Sequence, residues 1–183
     1  MGSKDIAVYE DILTTDTLTV YAEQDFEGHI GTKDALEQLV WGKPYDKRSA
    51  HAYWYALIAL TDYAGERLPG THEIKLGYET DLINGYLGTD FGIKLNIEEI
   101  LINEHTPFDL PKVQDWPLAG LLDETALIRL QEQLKAITIS SEMLEQLAEE
   151  DDEKEMAYDS IKQLQENVDY CLANELTMLS FCH

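Results

Sequence analysis

The sequence predicts an α+β fold: one predominantly helical domain over residues 1–183, with a small antiparallel sheet using strands near both termini. Three observations predict it. Apolar residues recur at helical spacing along several stretches. Two short β-branched or apolar runs lie near the ends of the chain. Hydrophobic residues make up 44% of 183, enough to bury roughly 70% of the unfolded surface without disulfides or metals.

Taken in order, Thr17-Leu18-Thr19-Val20-Tyr21-Ala22 alternates and reads as a strand, closed by Gly28 and Gly31. Thr32 stands where a helix N-cap belongs. Ala35, Leu36, Leu39 and Val40 form one apolar stripe, and Gly42 and Pro44 end the helix. Ser49 is the expected cap of a helix over 50–64 whose apolar side chains point in nearly every direction, the mark of a central helix. Gly65 is its expected C′ residue, and Pro69-Gly70 makes a turn. Shorter helices are predicted over 80–87 and 96–102, separated by Gly88, Phe91 and Gly92.

Pro107, Pro111 and Pro117 keep residues 106–120 from being regular throughout. Leu118, Leu121 and Leu122 then lead onto a helix capped by Asp123, with Leu127, Ile128, Leu130, Leu134 and Ile137 on its buried side. Ser141 opens a long helix to about residue 170. Its apolar spacing loosens over 149–155, where the helix breaks or stands clear of the body. The run 175–181 reads as a strand expected to pair with 17–22.

Charge is the strongest departure from the ordinary. Asp and Glu number 36 against 13 Lys and Arg, a formal net charge of −23. Such a surface repels nucleic acid and anionic membranes and accelerates encounter with a basic protein. The excess is clustered: residues 142–175 hold twelve acids and two bases, residues 1–30 seven acids and one base. A solvated helix face is the ordinary explanation of a charge run. Clustering on this scale favours a docking surface, and the expected contact residues are Glu145, Glu149, Glu150, Asp151, Asp152, Glu153 and Glu155, with Trp116 of the Pro-rich loop as an anchor.

Catalytic signatures are missing. The five histidines, His29, His51, His72, His105 and His183, make no ligand-spaced pair, so no metal is expected. No GxSxG elbow and no ordered phosphate-binding glycine motif occurs. Cys171 sits near a predicted helix end, which disfavours its thiolate, and Cys182 lies next to the terminus. Both read as reduced thiols. Lys43, Lys47 and Arg48 form the one basic cluster and most simply balance nearby acids. Tyr53-Trp54-Tyr55, flanked by Ala, Leu and Ile, reads as core rather than as a stacking platform. The start of the chain carries no apolar signal segment, and the run 52–60 is too short to span a bilayer. The cytoplasm is the expected location.

Several stretches resemble a family of uncharacterised small bacterial proteins: Leu18-Thr19-Val20-Tyr21-Ala22, Tyr53-Trp54-Tyr55-Ala56-Leu57, Leu110-Pro111 with Trp116-Pro117-Leu118-Ala119-Gly120, and Leu179-Ser180-Phe181. That resemblance covers most of the chain, and its motifs are structural and imply no catalytic residue. In size and acidity the chain is also similar to immunity proteins of antibacterial toxin systems, without matching any immunity-family motif. The combined expectation is a non-enzymatic immunity protein or antitoxin that needs no cofactor and occludes a basic cognate toxin. The alternatives are a DNA-mimic inhibitor of a DNA-binding protein and a small enzyme with a carboxylate-lined cleft.

Overall fold

A computed structural model describes residues 28–70, 73–113 and 117–182. Among them lie seven α-helices: α1 (Thr32–Trp41), α2 (Ala50–Ala64), α3 (Tyr78–Phe91), α4 (Ile97–Leu101), α5 (Glu124–Leu134), α6 (Ser141–Glu150) and α7 (Asp152–Ala173). Strands β1 (Leu118–Leu122) and β2 (Met178–Cys182) pair in a two-stranded antiparallel sheet. The fold is α+β and mainly helical, as expected. No helix among the described residues is long and apolar enough to cross a membrane.

Two compact units divide the chain. The first takes the described residues of Met1–Glu66, Thr106–Leu118 and Phe181–His183. Helix α2 is its centre: Ala52, Tyr53, Ala56, Ala59 and Leu60 pack against Ala35, Leu36 and Leu39 of α1. The small residues of α2 allow this close approach. The Tyr53 hydroxyl donates to Gln38 Oε1 at 2.6 Å and accepts from the Asp46 amide at 2.6 Å, so its burial leaves no polar atom unmet. Trp54 Nε1 donates to the Pro111 carbonyl at 2.9 Å.

The caps differ from expectation in this unit. Gly31 rather than Thr32 precedes α1, and Thr32 is buried within its first turn. Ser49 closes a 3₁₀ turn over Lys47–Ser49 and spends its hydroxyl on Asp46 and the Ile30 amide, so it makes no cap hydrogen bond to α2. Gly65 is extended (φ −82°) rather than left-handed; glycine suits it because a Cβ would lie 2.4 Å from the Thr61 carbonyl oxygen.

The second unit comprises Arg67–His105 and Ala119–Ser180. Its core joins Ile83 and Leu87 of α3, Leu127, Leu130 and Leu134 of α5, and Ile161, Leu164 and Val168 of α7. Ile128, expected on the buried side of α5, is 46% exposed, because the 127–130–134 stripe turns it toward solvent. Helix α3 runs beyond its expected limits, starting at Tyr78 and continuing through Gly88, and stops where Gly92 adopts φ +68°. Asn96 caps α4, and Asp123 caps α5.

Leu118, Leu121 and Leu122 do lead onto the helix capped by Asp123, but they form strand β1, a strand not expected from the sequence. What holds this strand is tertiary. Asn103 accepts from the Leu121 amide at 3.1 Å and donates to its carbonyl at 3.0 Å, acting as a short substitute strand edge. Strand β2 supplies the other neighbour. The partner expected for β2, residues 17–22, lies outside the described residues. Reciprocal bonds between Asn167 and the Gly70 backbone (2.7 and 3.0 Å) fasten the Pro69-Gly70 turn to α7.

Close packing makes Gly120 the most exacting position of the sheet. A Cβ there would meet the Leu101 carbonyl oxygen at 2.1 Å and the Asn103 nitrogen at 2.9 Å, both backbone atoms. Gly120→Ala is expected to lower stability by roughly 3 kcal/mol through forced backbone displacement, measured by urea unfolding.

Candidate partner-binding surface

The long helix expected from residue 141 to about 170 is two helices. Ser140, one residue earlier than expected, caps α6 by accepting from the Met143 amide at 3.1 Å. The chain becomes extended at Asp151, whose side chain then caps α7 by accepting from the Lys154 amide at 3.1 Å. The break falls inside the stretch where the apolar spacing loosens. Leu144 and Leu147 of α6 pack against the core of the unit, and no residue of α6 is fully buried. Its exposed surface carries Glu142, Glu145, Glu149 and Glu150, with Met143 also 40% exposed.

Glu145, Glu149, Glu150, Asp151, Asp152 and Glu153 are all exposed, and Glu155 is half-buried. Glu142, Glu145 and Glu149 share one face of α6 by helical spacing. Asp152 and Glu153 sit in the first turn of α7, where the helix dipole favours negative charge. Several of these acids also have local duties. Asp151 is a cap, Glu150 accepts from Gln146 at 3.0 Å, and Glu153 accepts from the Tyr78 hydroxyl on α3. That last bond raises the Tyr78 pKa above its ordinary value. Among the described residues no side-chain hydrogen bond or ion pair engages the carboxylates of Glu145, Glu149 or Asp152. Glu142 is held below its usual pKa by its own backbone amide, then by the Ser140 hydroxyl and more weakly by Lys162.

The one base among residues 145–155 does not neutralise the cluster. Lys154 Nζ reaches Asp90 at the end of α3, 2.7 Å away, and lies 5.4 Å and 5.3 Å from the ring centres of Tyr86 and Tyr158. The Tyr158 hydroxyl donates to the same carboxylate at 2.7 Å, and Phe91 packs against the Tyr158 ring. Hydrogen bonds from Lys154, Thr89 and Tyr158 hold Asp90 at a pKa of about 2, and Asp90 in turn raises the Lys154 pKa. Sequence reasoning misses Asp90, Tyr86 and Tyr78. They lie more than fifty residues from the acidic run, and only the packing of α3 on α7 brings them to it.

Of the remaining residues singled out in the sequence, Trp116, His72 and His183 lie outside the described residues. Trp41 is 45% exposed at the end of α1, while Tyr53 and Trp54 are core. Lys43 pairs with Glu37 and Arg48 with Asp46, both at 3.2 Å, which is the charge-balancing arrangement. His29 and His51 meet edge to face, with ring centres 5.3 Å apart. Among the described residues no group of three or more His, Cys, Asp or Glu is placed to hold a metal ion. Cys171 is buried, and burial pushes its thiol pKa up; Cys182 is half-buried.

A family model described as "Domain of unknown function (DUF7691)" matches residues 1–183. No curated protein and no solved structure matches the chain.

The Asp90–Lys154 pair sets a pH dependence. A carboxyl whose folded pKa is lowered from 3.8 to about 2 contributes stability that is present above pH 4 and lost as pH falls through 2. Asp90→Asn is expected to cost about 1–2 kcal/mol at neutral pH. The gap from wild type should close between pH 4 and pH 2, which thermal melts across that range measure.

Proposed function

The chain belongs to this family of unknown function, and we propose that it is a non-enzymatic immunity protein or antitoxin that docks a basic toxin domain on α6 and the start of α7. One observation carries the proposal: six exposed carboxylates within nine residues, 145–153, beside a lysine whose charge is spent on Asp90. Ordinary surfaces intersperse the two signs, and self-repulsion disfavours a one-sign cluster unless something offsets it. A positively charged partner is that offset.

The mechanism is electrostatic guidance followed by occlusion. Surplus negative potential steers a basic surface toward the cluster and raises its encounter rate by about 10- to 1,000-fold at low salt. The folded body behind α6 and α7 then excludes substrate from the site it covers. No proton transfer, nucleophile or bound cofactor enters such a mechanism; inhibition needs only affinity and bulk. The partner is a protein, because the same potential repels nucleic acid and anionic lipid.

Glu145, Glu149, Glu150 and Asp152 can be changed without removing a helix cap or the Tyr78 contact. Against the product of the adjoining reading frame, Glu145→Lys, Glu149→Lys, Glu150→Lys and Asp152→Lys together should weaken binding by on the order of ten- to a hundredfold. The same variant should flatten the salt dependence of Kd and lose protection against growth arrest. Affinity unchanged at every ionic strength overturns the docking model. An adjoining product that arrests no growth, or whose arrest the wild-type chain does not relieve, overturns the antitoxin reading.

A further inference from the structure

The outer face of α3 carries a cleft of about 380 Å³ lined by Tyr78, Asp81, Leu82, Gly85, Tyr86 and Thr89. These positions follow the helical i, i+3/i+4 spacing, so they form one stripe, while Glu79, Thr80, Ile83 and Leu87 on the other side are buried. Exposed stripes of soluble helices are ordinarily polar. This one carries two tyrosines and a leucine: Tyr78 is 59% exposed, while Leu82 and Tyr86 are half-buried against the core. Its floor is Gly85, where an added Cβ would meet no atom within 4 Å. Glycine inside a helix weakens it relative to alanine, and nothing in this unit fills the space it leaves. Gly88, one turn on, is equally open but does not line the cleft.

We propose that this cleft seats a basic amphipathic helical segment of the partner. The proposal rests on the acidic-surface reading and extends it to a second, apolar element of the same docking site. Charge supplies the choice of occupant. Asp81 is part of the lining, Glu153 is bonded to the Tyr78 hydroxyl, and Asp151 and Asp152 are exposed in the residues leading up to it. The nearby cation, Lys154, is held by Asp90 and the faces of Tyr86 and Tyr158. An apolar side chain over Gly85, flanked by Lys or Arg, therefore satisfies both the aromatic walls and the carboxylates.

The whole lining comes from one helix, α3, whose backbone amides and carbonyls are spent within the helix, so recognition runs through side chains rather than by strand addition. The stripe from Tyr78 to Thr89 is about 16 Å long, which matches about three turns of a docked helix. Tyrosine suits such walls, offering a broad apolar face at low entropic cost.

The test uses two labelled helical peptides of about 14 residues and equal positive charge, one with leucines at i, i+4 and i+7, the other with serines there. Anisotropy titration with the full chain should show the leucine peptide binding and the serine peptide weaker by roughly tenfold or more. Gly85→Leu should weaken the leucine peptide by a similar factor, and Gly88→Ala should leave it unchanged, both variants melting no lower than wild type. Equal affinity for the two peptides, or insensitivity to Gly85→Leu, overturns the cleft proposal. The acidic-surface reading survives those results, because it stands or falls on the salt dependence of the four-lysine variant. Failure of both peptides to bind also overturns the cleft proposal.

Discussion

Lys154 and Asp90 meet at the junction on which the second unit depends. The ion pair joins the first turn of α7 to the last turn of α3; the rings of Tyr86 and Tyr158 flank its ammonium, and Phe91 packs against Tyr158. The Asp90 side chain is 25% exposed and is met by three donors, so the cost of covering it is offset locally. Two consequences follow from one contact. Helix α7 is held against α3 despite the acids crowding its start, and the only base in that stretch is withdrawn from the acidic surface. A lysine free to swing among Glu149, Glu150 and Glu153 would blunt the potential that the proposed function uses.

A chain with a net charge of −23 must distribute its repulsion, and the structure shows several ways it does so. Acids occupy helix beginnings, where the dipole and unpaired amides stabilise them: Asp123, Asp151, Asp152 and Glu98 all lie at such positions. Glu79 is buried, yet it accepts from the Lys75 amide at 2.8 Å and pairs with the Lys75 ammonium. Carboxylates with structural duties are thus stabilised individually. Glu145, Glu149 and Asp152 have no such side-chain partner among the described residues, which sets them apart as candidates for an intermolecular role.

Much of the secondary structure is legible in the sequence because it rests on local rules. Helix α2 declares itself through an unbroken apolar run, α5 through Asp123 and the 127–130–134 stripe, and the break near Asp151 through a lapse in periodicity. Strand β1 is illegible because Leu118-Ala119-Gly120-Leu121-Leu122 has no alternation. Its identity comes from Asn103, 18 residues before Leu121, and from β2, about 60 residues later. The extent of α3 is hidden for the opposite reason. Gly88 is a local breaker, and the packing of Ile83 and Leu87 into the core overrides it.

By itself the sequence determined the fold class, the acidity and the position of the acidic run, because composition and period need no partner to act. Where those charges point was a tertiary decision. Lys154 could have screened its neighbours or turned away from them, and Asp90, 64 residues earlier, settled which. The same holds for the cleft on α3. A Tyr-Leu-Tyr stripe reads equally as core or as surface, until the folded unit buries the opposite face of that helix and leaves this one open. Local preferences fix which residues are helical; only the competition among faces for a limited core fixes which of them remain free to bind.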